Sequence, residues 1–306
     1  MRWDDFRRSD NVEDYRGDGG GGGFGIPIGG GGLGIGTVVV LGITGWALGI
    51  DPSILIGGAE ILTSNGAGQP RYERQIQQQG PARPGAPSDE AGQFVAAVLG
   101  NTEDTWTVIF QERGAQYRPP RLRLFSGVIQ GGCGMAQSAM GPFYCPTDRR
   151  VYLDTSFFQD IERRFHGCSG NACMFSQAYV IAHEVGHHVQ NLLGTLPKAQ
   201  EAQQATGSRA AANHIQVQIE LQADCYAGVW ANRSNARKSF IDPGDVDAAL
   251  QTASAIGDDT LQRKAQGRVV PDAFTHGSAD QRKRWFSAGF QQGKLEACDT
   301  FRAANL

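Results

Sequence analysis

Hydrophobic residues recur at helical spacing through most of the chain beyond residue 88. Apolar positions that return every three or four residues predict amphipathic helices, and capping residues mark their ends. Ser278, for example, is followed three residues later by Gln281, which forms a capping box, and Gly293 is a stop signal for the same helix. The predicted helices cover residues 88–100, 101–113, 157–165, 176–193, 208–232, 242–257 and 278–293.

Strand patterns are fewer and precede the first long helix. Residues Arg121–Val128 alternate between polar and apolar side chains, and Val151–Leu153 follows a turn at Pro146–Asp148. A series of helices with a small sheet predicts an α+β fold in which helices dominate.

One apolar segment stands apart from this pattern. No charged residue occurs between Asp18 and Asp51, and the 18 residues Leu33–Ile50 meet the minimum length of a membrane-spanning helix. Flanking apolar residues extend the predicted transmembrane helix over residues 33–56. The alternative is a glycine-rich helix buried in a protein core.

The composition around this segment predicts the organisation of the chain. Residues 1–32 are polar and glycine-rich, which predicts a disordered tail, and residues 57–87 are rich in Pro and Gln, as in linkers. Residues 88–306 then form the globular domain. Basic residues precede the span and are absent after it until Arg71, so the positive-inside rule predicts a cytoplasmic N-terminus and an extracytoplasmic domain, periplasmic or on the cell surface.

Charge and cysteine content narrow the partners and the compartment. The net charge is −3, from 28 basic and 31 acidic residues, which does not favour nucleic acid as a partner. Six cysteines are consistent with disulfides in an oxidising compartment. Neighbouring positions favour the pairs 133–145 and 168–173, which leaves 225–298, and buried free thiols are the alternative. The disulfide candidates are Cys133, Cys145, Cys168, Cys173, Cys225 and Cys298.

The first long helix contains a metal-binding motif. Its sequence H-E-x-x-H places His183 and His187 four residues apart, so both imidazoles point the same way and can bind one ion. Glu184 is turned about 100° from His183 and is placed to activate a water molecule. Surface histidines that match the motif by chance are the alternative. His188 points elsewhere and is expected at the surface or behind the ligands.

A second long helix offers a third ligand, which the H-E-x-x-H motif lacks. A catalytic zinc ion usually has three protein ligands and one position for water. Glu220 supplies a carboxylate oxygen, and Asp224, four residues later, can accept the other ring N–H of a ligating histidine. Ordinary surface charges are the alternative. Together these residues predict one zinc ion bound by His183, His187 and Glu220.

These motifs resemble a known family. H-E-x-x-H followed by E-x-x-x-D on a later helix resembles the gluzincins, the thermolysin-like zinc peptidases. The wider pattern is similar to the neutral zinc metallopeptidase family of bacteria, over roughly residues 124–290. The segments that carry it are GPFYCPTDRRVYLDTSFF, HEVGHHVQNLLG, ELQADCYAG and FTHGSADQRKRWFSAGF.

The resemblance implies a zincin-like catalytic domain, with Glu184 as the base and a histidine beside the scissile carbonyl. His276, just before the helix that opens at Ser278, is the candidate for this histidine, and a structural loop histidine is the alternative. His214 and Tyr226 are weaker candidates. A strand at residues 141–144 or 151–154 is expected to pair with an extended peptide.

The sequence therefore predicts a membrane-anchored zinc endopeptidase that acts on peptide or protein substrates and is held in the lipid bilayer by a single span. A non-catalytic zinc-stabilised scaffold or partner-binding protein is the alternative from another class. The intact Glu184 favours the enzyme. A hydrolase of non-peptide amides would have the same motif.

Overall fold

The computed structural model describes residues 1–16, 83–84, 87–163 and 166–306 of the chain. This part contains eight α-helices and seven β-strands, and it has the helix-dominated α+β character that the sequence predicts. The helices are α1 (Glu90–Glu112), α2 (Ser156–Arg163), α3 (Cys173–Leu192), α4 (Thr195–Ala205), α5 (Arg209–Lys238), α6 (Asp245–Ala255), α7 (Asp258–Gln266) and α8 (Ala279–Gln292).

The strands form one five-stranded sheet and a separate hairpin. They are β1 (Val12–Asp14), β2 (Arg83–Pro84), β3 (Arg121–Phe125), β4 (Val128–Gly131), β5 (Gly134–Gln137), β6 (Phe143–Cys145) and β7 (Arg150–Asp154). The order in the large sheet is β2-β1-β3-β7-β6, and β4 pairs with β5. The strand β3 runs parallel to both its neighbours, whereas β6 is antiparallel to β7 at the edge.

The first 16 residues belong to the folded domain, and the predicted disordered tail is therefore wrong for them. Strand β1 pairs with β3, and the Ser9 hydroxyl and the Asn11 amide both donate to the buried carboxylate of Glu103 on α1. Phe6 and Val12 lie in the main hydrophobic core. Burial of Phe6 and Val12, together with the hydrogen bonds of Ser9 and Asn11, offsets the loss of conformational entropy when these residues become ordered.

The predicted tail residues 17–32, the predicted span 33–56 and nearly all of the linker lie outside the described residues. None of the helices within the described part has both the length and the apolar character needed to cross a bilayer.

Helix α1 is continuous, although the sequence predicts a break at Gly100. The glycine serves a close approach instead, because a methyl group there would lie 2.2 Å from the carbonyl oxygen of Arg7. Asn101, at which the second predicted helix begins, accepts hydrogen bonds from the Trp230 indole and the Ser234 hydroxyl on α5. Both residues therefore serve tertiary packing. Gly100 permits a close backbone contact, and the Asn101 side chain satisfies two buried donors.

Helices α3 and α5 carry the predicted ligands and cross closely. A methyl group on Gly186 would lie 3.0 Å from the carbonyl oxygen of Ala223, so the two backbones meet at small residues. Gly228 faces Gly289 and its neighbours on α8 instead. Helix α5 is thus held between α3 and α8 along its length.

The described part of the chain contains three disulfides. They join Cys133 to Cys145, Cys168 to Cys173, and Cys225 to Cys298, which are the pairs that neighbouring positions favour. The last one ties the chain's C-terminal segment to α5. It therefore connects the region beyond α8 to the helix that carries Glu220 and Asp224.

Candidate metal centre

The structure brings His183, His187 and Glu220 together at the crossing of α3 and α5. Glu220 Oε2 lies 3.2 Å from His183 Nε2 and 3.5 Å from His187 Nε2. One ligand atom from each residue lies within 4.8 Å of the others. The i, i+4 spacing of the histidines places both rings on one face of α3, and the close helix crossing delivers the carboxylate from the facing helix.

These residues fit zinc. Bonds of about 2.0 Å in tetrahedral geometry place neighbouring ligand atoms about 3.3 Å apart, close to the two measured distances. Two imidazoles and one carboxylate are also a ligand set of known catalytic zinc sites. His183 and Glu220 are buried, which would be costly for two polar groups without a shared partner.

Each histidine has its second ring nitrogen engaged behind the ligand cluster. Nδ1 of His183 lies 2.8 Å from Asp224 Oδ1, and Nδ1 of His187 lies 2.9 Å from the Gln190 side-chain oxygen. Such partners fix the ring orientation and leave Nε2 directed at the metal position. The carboxylate–histidine pair follows the sequence prediction for Asp224.

The third ligand also has a partner. The Gln216 side-chain amide donates to Glu220 Oε1 at 2.9 Å, which leaves Oε2 for the metal position. Gln216 lies four residues before Glu220 on α5, so the same helical spacing that relates the two histidines supplies this hydrogen bond.

Asp224 is fully buried and is neutralised by Arg282 on α8. The guanidinium donates through Nε to Oδ2 at 2.8 Å and through Nη2 to Oδ1 at 3.0 Å. The Tyr179 hydroxyl donates to the same Oδ1 at 2.6 Å. Burial alone would raise the pKa of Asp224, but Arg282 and His183 outweigh it and hold the pKa well below its usual range. Asp224 is therefore a permanent anion behind His183.

The charge of Asp224 controls the protonation of His183 in the metal-free protein. Burial disfavours the charged imidazole, but Asp224 and Glu220 outweigh this effect and raise the pKa of His183 to about 10. The pKa of His187 is likewise raised, with burial opposed by Glu220. His183 therefore holds an extra proton near neutral pH when no metal is bound.

Glu184 lines the same cleft as the three ligands. Burial raises the pKa of its carboxyl group, and the neighbouring His183 and His187 partly oppose that rise. No side chain of the described residues donates a hydrogen bond to its carboxylate. The group is thus free to exchange a proton with a molecule in the cleft.

His276 reaches the cleft from the loop before α8. Its side chain is 48% exposed, and Nδ1 lies 3.3 Å from Oδ1 of the buried Asp258. The other oxygen of Asp258 accepts the backbone N–H groups of Thr275, His276 and Gly277 at 2.6–3.0 Å. A single carboxylate at the start of α7 therefore holds the whole loop and one ring nitrogen, which leaves Nε2 of His276 available to the cleft.

The cleft has a volume of about 430 Å³, and the edge strand β6 forms part of its wall. Phe143 and Tyr144 of β6 line it, and so do Phe157, Leu196 and Leu261. Of the two segments expected to pair with an extended peptide, residues 141–144 reach the sheet edge, whereas β7 lies between β3 and β6. An edge strand has backbone groups free to pair with another chain.

His188 is buried, and its hydrogen-bond partners are not metal ligands, so it occupies neither of the expected places, the surface or a position behind the ligands. Its Nε2 donates to the Arg118 carbonyl at 2.6 Å, and its Nδ1 accepts from the Tyr144 hydroxyl at 3.0 Å. Burial lowers the pKa of His188 to about 4, so the ring is neutral. It links strand β6 to α3 and so fixes one wall of the cleft.

The two weaker candidates do not lie in the cleft. Tyr226 is buried in the core against Trp106. His214 lines a separate cavity of about 380 Å³ beside Asn213 and Phe274. Of the three oxyanion candidates, only His276 faces the ligands.

Sequence analysis missed several residues of the site. Gln190 and Gln216 could have been found, because each lies three or four residues from a ligand on the same helix. Asp258 and Arg282 could not, since their partners are 18 and 58 residues away in the chain. Only the packing of α7 and α8 against the centre identifies them.

Comparisons with known proteins identify a family model and several proteins to which this chain is similar. The family model described as "Putative neutral zinc metallopeptidase" matches residues 1–301. The protein YpfJ of Escherichia coli K12 is 46% identical over 304 residues, covering 98% of this chain and 99% of the relative. Mb2605 of Mycobacterium bovis and Rv2575 of Mycobacterium tuberculosis are each 45% identical over 227 residues, covering 71% of this chain and 74% of each relative. All three are described as uncharacterized. No solved structure matches the chain.

Zinc binding should release protons near neutral pH. The raised pKa values of His183 and His187 mean that the metal-free protein holds protons that ligation must displace. Titration calorimetry at about pH 7 in buffers of different ionisation enthalpy should show release of about one to two protons. For each proton released, the apparent zinc affinity should fall about tenfold for every unit by which the pH is lowered. Asp224→Asn should release fewer protons, because it lowers the pKa of His183. A binding enthalpy that does not depend on the buffer would contradict this charge arrangement.

Proposed function

Because this chain belongs to the family of neutral zinc metallopeptidases, we propose that it is an endopeptidase that hydrolyses peptide bonds of polypeptide substrates at the His183–His187–Glu220 centre. The observation that carries the proposal is the position of Glu184. Its carboxylate is buried beside the three ligands, has a raised pKa and faces the cleft without a hydrogen-bond donor among the described side chains. A general base needs this combination of reach and proton affinity.

The residues of the cleft divide the reaction among them. When bound, zinc would supply the Lewis acid that polarises the substrate carbonyl and lowers the pKa of a water molecule. Glu184 accepts a proton from the attacking water and returns it to the nitrogen of the leaving amine. His276, held by Asp258, donates through its ring to the oxygen that gains negative charge.

The substrate lies in an extended conformation along β6 in this proposal. Two features support the arrangement, the position of β6 at the sheet edge and its place in the wall of the cleft. Backbone pairing gives affinity that does not depend on sequence, whereas the apolar walls formed by Phe157, Leu196 and Leu261 favour uncharged side chains near the cleaved bond. An unfolded protein or a flexible segment meets these requirements.

The location of the domain is part of the same proposal. Three disulfides support a periplasmic or cell-surface location, because such bonds persist in oxidising compartments. Attachment to a bilayer rests on the apolar residues 33–56, which lie outside the described part of the chain.

Glu184→Gln should abolish hydrolysis and leave the metal centre intact. The amide keeps the shape of the side chain but cannot accept the proton, so kcat should fall by about 10³. Zinc content, measured by atomic absorption, and cleavage of an unfolded protein substrate are the two measurements. Glu201→Gln, an exposed glutamate on α4, is the matched control and should leave both unchanged.

The same experiment separates the enzyme from a zinc-stabilised scaffold. If the Glu184→Gln variant hydrolyses the substrate as fast as the wild type, Glu184 is not the base and the proposal is wrong. Stoichiometric zinc in a wild-type protein that cleaves no peptide would favour the scaffold.

His276→Ala should lower kcat by about 10² and leave zinc content unchanged, because His276 is not a ligand and stabilises only charge that develops during the reaction. His214→Ala removes a histidine that lines the other cavity, and it is the control expected to retain activity. Equal activity of the two variants would contradict the role given to His276. Steady-state kinetics on one peptide substrate provides the comparison.

A further inference from the structure

A chain of buried amides runs from His187 to the C-terminal disulfide. The His187 Nδ1–H faces the side-chain oxygen of Gln190 at 2.9 Å. The Gln190 amide nitrogen donates to Gln222 Oε1 at 3.1 Å, and the Gln222 amide nitrogen donates to the Cys298 carbonyl at 2.9 Å. Gln190 and Cys298 are fully buried, and Gln222 is 6% exposed.

The Cys298 carbonyl, at the far end of this series of hydrogen bonds, fixes the orientation of both side-chain amides. A main-chain carbonyl can only accept a hydrogen bond, so Gln222 must present its nitrogen to Cys298 and its oxygen to Gln190. Gln190 must then present its nitrogen to Gln222, and the Ile219 carbonyl requires the same orientation, since it accepts from that nitrogen at 2.7 Å. The oxygen of Gln190 consequently faces His187.

This polarity determines which nitrogen of His187 can bind a metal. A ring nitrogen that faces an acceptor oxygen must carry its proton, so Nδ1 keeps a hydrogen and Nε2 is the nitrogen with a lone pair for zinc. We propose that Gln190 and Gln222 are positioning residues that fix the tautomer of His187 and take their orientation from the Cys298 carbonyl. The proposal rests on the zinc centre proposed above.

The Cys225–Cys298 disulfide holds in place the Cys298 carbonyl, at which this series of hydrogen bonds ends. It joins the carbonyl-bearing residue to α5, three residues beyond Gln222. Zinc affinity is therefore coupled to a disulfide that has no atom in the metal site. His183 has no such dependence, since its partner Asp224 is a carboxylate that can only accept.

The test compares two glutamines on α5 that both bond to the C-terminal segment. Gln222→Leu removes the hydrogen bonds that connect the Cys298 carbonyl to Gln190 and His187. Gln218→Leu removes only the hydrogen bond from the Gln218 side chain to the Thr300 carbonyl. Zinc affinity of the full chain, measured by competition with a chromophoric chelator, should fall about tenfold or more for Gln222→Leu and stay within about twofold of wild type for Gln218→Leu. The paired change Cys225→Ser with Cys298→Ser should also weaken zinc binding.

Wild-type zinc affinity in a folded Gln222→Leu protein would overturn the proposal. If that variant does not fold, Gln222→Met, which has similar volume and no donor, decides the question by the same measurement. A long-range ¹⁵N–¹H spectrum of the zinc-bound wild type should show the His187 proton on Nδ1, and a proton on Nε2 would also overturn the proposal. A wild-type chain that binds no zinc is a different result, since it removes the proposed function itself.

A second, independent inference concerns the first strand. β1 lies inside the large sheet between β2 and β3, and Asp14 of β1 pairs with Arg83 of β2. Asp14 and Arg83 are therefore neighbours in the sheet, although they are far apart in the sequence. Between these points lie the apolar residues 33–56, from which the sequence predicts a single span with the two flanking parts on opposite sides.

The packing of residues 1–16 excludes that separation once the domain has folded. These residues contribute Phe6 and Val12 to the core, and Glu13 forms ion pairs with Arg121 and Arg123 of β3. We infer that residues 1–16 and residues 87–306 lie on the same side of any bilayer to which the protein is attached. Strand pairing and burial of this extent cannot form across a hydrocarbon layer.

Cysteine labelling tests this inference in intact cells. Asp10→Cys and Arg302→Cys place single exposed thiols near the two ends of the chain, and Arg302 is 89% exposed. A membrane-impermeant maleimide should label both variants or neither before permeabilisation, and both after it. Labelling of only one position in intact cells would overturn the inference and restore the single-span orientation.

Discussion

The burial of one carboxylate, that of Asp224, constrains the arrangement of three helices. Its two oxygens accept from His183 and Tyr179 on α3 and from Arg282 on α8, while Asp224 itself belongs to α5. A buried charge without partners would cost several kcal/mol, so the native packing must keep all three donors in place. The same contacts orient His183. The stability of the helix packing and the geometry of the metal centre therefore depend on one set of hydrogen bonds.

The two histidine ligands are held by partners of different chemistry. His183 faces a carboxylate that is already neutralised by Arg282, whereas His187 faces a neutral amide whose orientation is set from the Cys298 carbonyl. Buried polar networks of this kind are stable only when every member is satisfied. The consequence is that residues from α8 and from the C-terminal segment contribute to the centre, although neither provides a ligand.

The two edges of the large sheet have different roles. At one edge, β1 and β2 bring the start of the chain into the fold, and Glu103 and Arg121 on neighbouring elements bind it there. At the other edge, β6 lines the cleft, held to α3 through Tyr144 and His188. The interior strands β3 and β7 connect the edges through buried leucine and valine side chains. The N-terminal residues thus stabilise the platform on which the cleft wall is built.

The sequence alone predicted the helix-dominated α+β fold, the motif on α3, the position of Glu220 and Asp224 on one face of α5 and the capping box of α8, because these features depend on neighbours three or four residues apart. It misplaced Gly100 and residues 1–16, because local composition does not reveal a close approach or a strand pairing with residues more than 100 positions away. Only the tertiary structure identified Arg282, Asp258 and the amide chain to Cys298. Their roles arise from charges and donors that must find partners on burial, and which partner each one finds is decided by helix packing rather than by sequence distance.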